Sequence, residues 1–332
     1  VLQLTNDLSP TEAVSLFSES IIDGNNIGVD NGGNAGHGLL FKLGQRTRIQ
    51  DLQLTNTAFL NNTLDGFHFE RSEDARLNSL IIEKNRATNN GGDGFDISSQ
   101  NTTKDELDLH INENVIDQNA QYGVRLALLA DVRVAVEFDN NSVTGNGHTA
   151  GGTGFHPNDG VAGSAGSTGG VGILAFEEIG IQWSMTGTHI DSNIGDGLSI
   201  DAFNQDDVLI THMNVTNSTF NDNTLTGLRN QGTSFGSLSF VGSEFNANGE
   251  DGVRMVSTVD KNDTFYRRRV GGRDIDVTGL ANQFIGNGQS GVQLGQGVSA
   301  SFGDGSIPNA NYFNSNGEDG LKLTQHNSPH AD

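Results

Sequence analysis

Apolar and polar residues alternate in short runs along most of the chain. Leu107/Leu109/Ile111, Val132/Val134/Val136, Ile181/Trp183/Met185 and Ile275/Val277 each place every second side chain on one face. A period of two predicts strands with one buried face. Interleaved with these runs is a second pattern, found ten times: Asn, three residues, Gly, then apolar, any, apolar. Clear copies are Asn62 to Phe69, Asn119 to Leu126, Asn193 to Ile200, Asn248 to Met255, Asn287 to Leu294 and Asn316 to Leu323.

The glycines of the pattern read as Gly38, Gly66, Gly94, Gly123, Gly172, Gly197, Gly227, Gly252, Gly291 and Gly320, at spacings of 28, 28, 29, 49, 25, 30, 25, 39 and 29 residues. Asn lies four positions earlier in all copies except one, where Thr168 stands. A large apolar residue usually precedes that Asn by three: Phe59, Ile116, Ile190, Phe220, Phe245, Phe284 and Phe313. A unit of two or three short strands cannot bury its apolar face alone, so it must stack on copies of itself. Strands of neighbouring units then pair in parallel, and turn asparagines bond from coil to coil. The glycine fits a position with no space for Cβ or one that needs positive φ.

This repeat resembles that of the right-handed parallel β-helix proteins, the pectate-lyase-like superfamily, over about residues 20 to 325. The resemblance implies an all-β solenoid of about ten coils forming one domain over residues 1–332. It specifies architecture more than activity, because the superfamily includes polysaccharide lyases, glycoside hydrolases, uronan epimerases, phage tailspikes and bacterial surface adhesins.

At the start, Ser9-Pro10-Thr11-Glu12 is a capping box followed by Ala13, Val14, Leu16 and Phe17, which predicts a short helix in a cap spanning residues 1–20. Leu2 to Asn6 repeats Leu52 to Asn56, so the chain is expected to begin in mid-coil, as a mature form or a piece of a longer protein. Residues 325–332 read as a loose tail.

Composition then narrows the function. The 332 residues carry 18 Lys+Arg against 41 Asp+Glu, a formal net charge of −23, with no Cys. That charge argues against nucleic acid as a partner. No apolar run is long enough to span a membrane, and disulfides and thiol chemistry are excluded. The 45 Gly and 37 Asn are largely the repeat itself. A secreted or cell-surface location, bacterial, and a monomeric state are the expectations.

Two intervals are too long, placing insertions at about residues 143–171 and 256–274. The second holds Lys261, Arg267, Arg268, Arg269 and Arg273 beside Phe265 and Tyr266, a concentrated basic run in an acidic protein. The residue two after the register glycine should point outward, and four of these ten are basic: Arg125, Arg229, Arg254 and Lys322. Guanidinium groups on adjacent coils suit the carboxylates of a uronate chain. Equally, they suit acids on neighbouring coils. Asp65 and Asp93, each just before a register glycine, are candidates for Ca²⁺ between stacked carboxylates or for turn formation.

Other motifs fall short of their families. Gly36-His37-Gly38 matches the short motif of polygalacturonases, but the acids that accompany it there are missing here. Gly91 to Asp96 fits most of one calcium nonapeptide of the RTX type but stands alone. The leading expectation is a β-helix module that binds acidic polysaccharide or serves as an adhesin or structural segment. The alternative is a lyase or epimerase on uronates, with Arg229 or Arg254 neutralising the substrate and Tyr266, His68 or Lys261 as base.

Overall fold

The structure, a computed structural model, describes residues 2–4, 13–18, 21–23, 36–44, 47–73, 75–101, 106–129, 132–147, 168–176, 179–202, 208–231, 234–256, 275–295 and 298–324. Its strands form a parallel β-solenoid. The large sheet has eleven strands, the second ten and the third six, with a further two-stranded pair. Strands three apart in sequence are neighbours in most of each sheet, as one strand per sheet per coil requires. Eleven strands rather than ten arise because Leu2–Leu4 pairs with Leu39–Leu43, adding a rung ahead of the first register glycine.

Each coil turns at two left-handed corners. Lys84 (φ 57°) and Asn89 (φ 56°) end the second-sheet strand Arg76–Glu83 and the third-sheet strand Arg86–Thr88. The next residue at each corner, Asn85 or Asn90, is buried and points to its equivalent one coil on. The Asn90 backbone and side-chain amides donate to Asn119 Oδ1 at 3.1 and 2.8 Å. Asn119 donates in turn to Asn146 Oδ1, at 3.0 Å from its backbone and 2.9 Å from its side chain. This ladder runs on through Asn193, Asn223, Asn248, Asn287 and Asn316. A second ladder at the other corner uses Asn85, Asn114 and Asn141, then Thr188, Ser218 and Ser243, then Asn282 and Asn311. Asparagine suits the place because its side chain both donates and accepts, so a stack of identical residues satisfies itself.

The register glycines have no positive φ among the described residues; what they lack is space. A Cβ on Gly123 would stand 2.5 Å from Val143 Cγ1 and 2.8 Å from the Gly170 carbonyl oxygen. The residues after the glycines then align in one inward lane, Phe67 with Phe95, Val124, Val171 and Leu198. The residues three before the asparagines form another, in which Phe220, Phe245, Phe284 and Phe313 stack at centroid distances of 4.8, 5.2 and 4.8 Å. Burial of each such ring contributes about 1.5–3 kcal/mol. Trp183 is in this core, as its alternation with Ile181 and Met185 predicts.

Three sequence expectations are corrected. Ala13–Ser18 is a strand, not a helix, pairing with Arg48–Thr55 so that Val14 meets Leu52 and Leu16 meets Leu54. The edge offered by the next coil outweighs the local helix signal; the capping residues 9–12 lie outside the described residues. Leu2–Leu4 is in the large sheet, whereas its sequence match Leu52 to Leu54 is in the second, so that self-similarity does not reflect equivalent positions. The fifth register glycine is Gly170, not Gly172. Val124 pairs with Val171, and the ladder asparagine of that coil is Asn146. The first insertion separates Asn146 from its glycine, which explains why Thr168 appeared to break the pattern. Most of both insertions, residues 148–167 and 257–274, and the tail 325–332 lie outside the described residues.

Asn119→Ala would leave buried groups on both neighbouring coils without their partners. At about 1–3 kcal/mol for each unmatched buried group, a loss of about 3 kcal/mol or more is expected in chemical denaturation. Asn78→Ala, which removes an exposed side-chain pair with Gln50, is expected within about 0.5 kcal/mol of the parent.

Candidate functional site

The outer surface of the large sheet carries two adjoining lanes. One holds the residues just before the register glycines, including His37, Asp65, Asp93, Tyr122, Asp196 and Asp251. The other holds the residues two after, including His68, Asp96, Arg125, Arg229, Arg254 and Lys322. The aspartates of the first lane have a backbone task. Asp65 Oδ1 accepts the Asp93 amide at 2.7 Å, Asp93 Oδ1 the Tyr122 amide at 2.7 Å, Asp196 Oδ1 the Thr226 amide at 3.1 Å and Asp251 Oδ1 the Ser290 amide at 2.8 Å. One oxygen therefore joins coils, and for Asp65 and Asp196 the other turns toward the second lane.

At the N-terminal end this arrangement gathers a buried cluster. Asp65 Oδ2 lies 3.0 Å from His37 Nδ1 and 3.3 Å from His68 Nδ1, and His68 Nδ1 is 2.8 Å from Asp96 Oδ2. The two imidazole centroids are 4.7 Å apart. Asp96 Oδ1 accepts Arg125 Nη1 at 3.1 Å. His37, Asp65, His68, Asp96 and Arg125 are all buried. Burial works against a charge on His68, but the Asp96 carboxylate and the hydrogen bonds with Asp65 and Asp96 outweigh it, and its pKa is pushed up to about 10.

Further along, Arg229 is held by three oxygens: Asp196 Oδ2 at 2.6 Å from Nε, Asp201 Oδ1 at 2.8 Å from Nη1 and Asp201 Oδ2 at 3.1 Å from Nη2. Burial opposes its charge, yet the two carboxylates hold the guanidinium more firmly protonated than a free arginine. The last basic positions are looser. Arg254 Nη1 is 3.4 Å from Glu250 and Lys322 Nζ 2.5 Å from Glu318, with side chains about a third exposed.

The second sheet bears a shallow groove of about 530 Å³ lined by Asp108, His110, Glu137, Gln182, His212 and Asn214. Its two histidines have partners: His110 Nδ1 lies 2.9 Å from Glu137 Oε2, and His212 Nδ1 2.7 Å from Ser237 Oγ.

A family model described as the right-handed beta helix region matches residues 18–168. The chain is a right-handed parallel β-helix. No curated protein and no solved structure matches it. The described strands carry the β-helix beyond the matched segment, to Leu321–Leu323. Among the described residues, no helix is long and apolar enough to cross a membrane.

On this β-helix, the outward lane expected to be free is largely covered. His68, offered as a base, is buried between carboxylates, and Arg125 and Arg229 are held by Asp96 and by Asp196 with Asp201. The position after Arg125 in the lane is Gly172, over which the Tyr122 ring lies so closely that a Cβ would approach it to 2.6 Å. Asp65 and Asp93 do not face each other across a gap, because Asp65 Oδ1 takes the Asp93 amide. Lys261, Tyr266, Arg267, Arg268 and Arg269 lie outside the described residues. Sequence reading missed His37 and Asp96. The signal was present: His37 and Asp65 share one register position, and His68 and Asp96 share another.

Arg229→Met would leave two buried carboxylates without their cation and is expected to cost about 3–5 kcal/mol. Arg254→Met, at a part-exposed pair, is expected to cost at most about 1 kcal/mol. Urea denaturation of both variants measures the contrast.

Proposed function

We propose that the chain is a non-catalytic segment of a secreted or cell-surface protein, a stiff β-helical rod of the adhesin or structural type. One observation carries this reading. Along the lane where a polyanion track was expected, Arg125 and Arg229 are matched by carboxylates of the same sheet within 3.1 Å. A buried guanidinium already held by a carboxylate serves the rod and not a ligand. The same geometry argues against uronate β-elimination. That reaction needs a free cation to neutralise the substrate carboxylate and an accessible base beside C5, whereas Arg229 is enclosed and His68 is buried between the Asp65 and Asp96 carboxylates.

A second reading, binding of acidic polysaccharide, draws support from Arg254 and Lys322. They flank Gln293 on alternate rungs of one lane, about 10 Å apart at the usual strand spacing. Their pairs with Glu250 and Glu318 are exposed enough to exchange for a ligand carboxylate. A monomeric rod is proposed in either case.

Incubation with pectate, alginate and related uronans, with and without Ca²⁺, is expected to give no rise in absorbance near 235 nm, where unsaturated uronates absorb. A rise would sink the non-catalytic reading. Glycan arrays separate the two remaining readings: uronate or sulfated-glycan binding that Arg254→Ala weakens supports the second, and blank arrays support the rod alone.

A further inference from the structure

We propose that His37, Asp65 and His68, with Asp96 bracing His68, form a binding site for one divalent transition-metal ion of the zinc class. Nothing in the structural-rod reading requires this site, and its failure would leave that reading intact.

The donor set points to the ion. Two imidazole nitrogens and one carboxylate oxygen form a borderline N/O set of the kind that holds Zn²⁺ and its first-row neighbours, with a fourth position open. Ca²⁺ takes six to eight oxygens and is a poor match for a site with two nitrogens. The spacing is close to what an ion needs. Around a tetrahedral ion with bonds of about 2.0–2.2 Å, ligand atoms sit about 3.3–3.6 Å apart; Asp65 Oδ2 lies 3.0 Å from His37 Nδ1 and 3.3 Å from His68 Nδ1. One donor atom from each of His37, Asp65 and His68 falls within 4.8 Å of the others.

The second, independent observation is His37. Its ring is buried, and among the described residues neither nitrogen makes a hydrogen bond, although Nδ1 lies only 3.0 Å from Asp65 Oδ2. An imidazole and a carboxylate brought that close without hydrogen-bond geometry are placed as two ligands of one cation are placed. A buried polar side chain left in this state otherwise costs stability.

The surroundings are those of a supported metal site. The outer oxygens of both carboxylates are fixed, Asp65 Oδ1 by the Asp93 amide at 2.7 Å and Asp96 Oδ1 by Arg125 at 3.1 Å. Such outer contacts orient the inner ligands. The three ligands come from two successive coils, His37 from one and Asp65 and His68 from the next, and Asp96 braces His68 from a third. A bound ion would therefore staple the N-terminal coils across their rungs.

The test uses the full chain, stripped with EDTA and titrated with Zn²⁺ by calorimetry, then with Co²⁺ in the visible range. One equivalent of Zn²⁺ is expected, with a rise in Tm, and the visible bands of tetrahedral Co²⁺ should appear and be displaced by Zn²⁺. His37→Ala spares the contacts among Asp65, His68 and Asp96, and circular dichroism checks its fold. This variant should bind Zn²⁺ at least about tenfold more weakly and lose the Co²⁺ bands, and Asp96→Asn should weaken binding too. His326→Ala/His330→Ala, in the tail, should leave binding unchanged. Absence of stoichiometric binding, binding indifferent to His37→Ala, or a preference for Ca²⁺ would each overturn the proposal.

Discussion

A buried polar side chain at each corner must find its counterpart one rung away, and the rest of the structure depends on that requirement. Each corner places a residue in the left-handed region, at a cost of about 1 kcal/mol or more when it is not glycine. The chain accepts this at Lys84, Glu113 and Gln118 because the following asparagine then turns inward onto the ladder. The ladder works only if every coil presents its amide at the same height. Coil length, strand register and the lack of a Cβ at the register glycines are three expressions of this one condition.

Exact stacking has an electrostatic consequence on the outer face. Equivalent residues stand one strand spacing apart, so a repeated aspartate would bring like charges together. Between Asp65 and Asp93 this is managed by giving one oxygen to the backbone amide of the next coil, and at Asp65 and Asp196 a cationic or titratable residue in the adjoining lane faces the other. His68 and Arg229 occupy that second lane for this reason. The −23 charge of the whole chain is thus locally organised: the cations are few, and several of them lie where the stack itself concentrates acid.

Much of this was legible in the sequence, because a repeat forced by stacking marks the same positions again and again. Asparagine at Asn62, Asn119 and Asn248, glycine four later and the phenylalanines three earlier all announced their roles. What was illegible lacks a residue-type signature or depends on neighbours. The left-handed corners hold Lys, Glu, Gln, Ala and Ser as well as Asn, Asp and Gly, so no single residue type marks them. Gly172 mimicked the register because a neighbouring glycine, Gly170, takes the real position two residues earlier. Ala13–Ser18 has local helix signals, and only the Arg48–Thr55 edge makes it a strand. The His37 cluster escaped notice because outward-pointing was equated with exposed. On a sheet whose outer lanes pack against each other, the two are different properties.

The place where the first insertion leaves the stack shows how the solenoid tolerates extra chain. On one side Gly147 donates its amide to the Asn119 carbonyl at 2.9 Å, and on the other Thr168 Oγ1 bonds the Ile194 carbonyl at 3.2 Å. Both flanks are clamped to neighbouring coils whatever lies between them. The entropic penalty for a longer excursion grows only with the logarithm of its length, about 0.6 kcal/mol per doubling. This corner therefore behaves as a socket: the bonds that hold Gly147 and Thr168 are made to neighbouring coils. A change of sequence between Gly147 and Thr168 leaves both of these clamps in place.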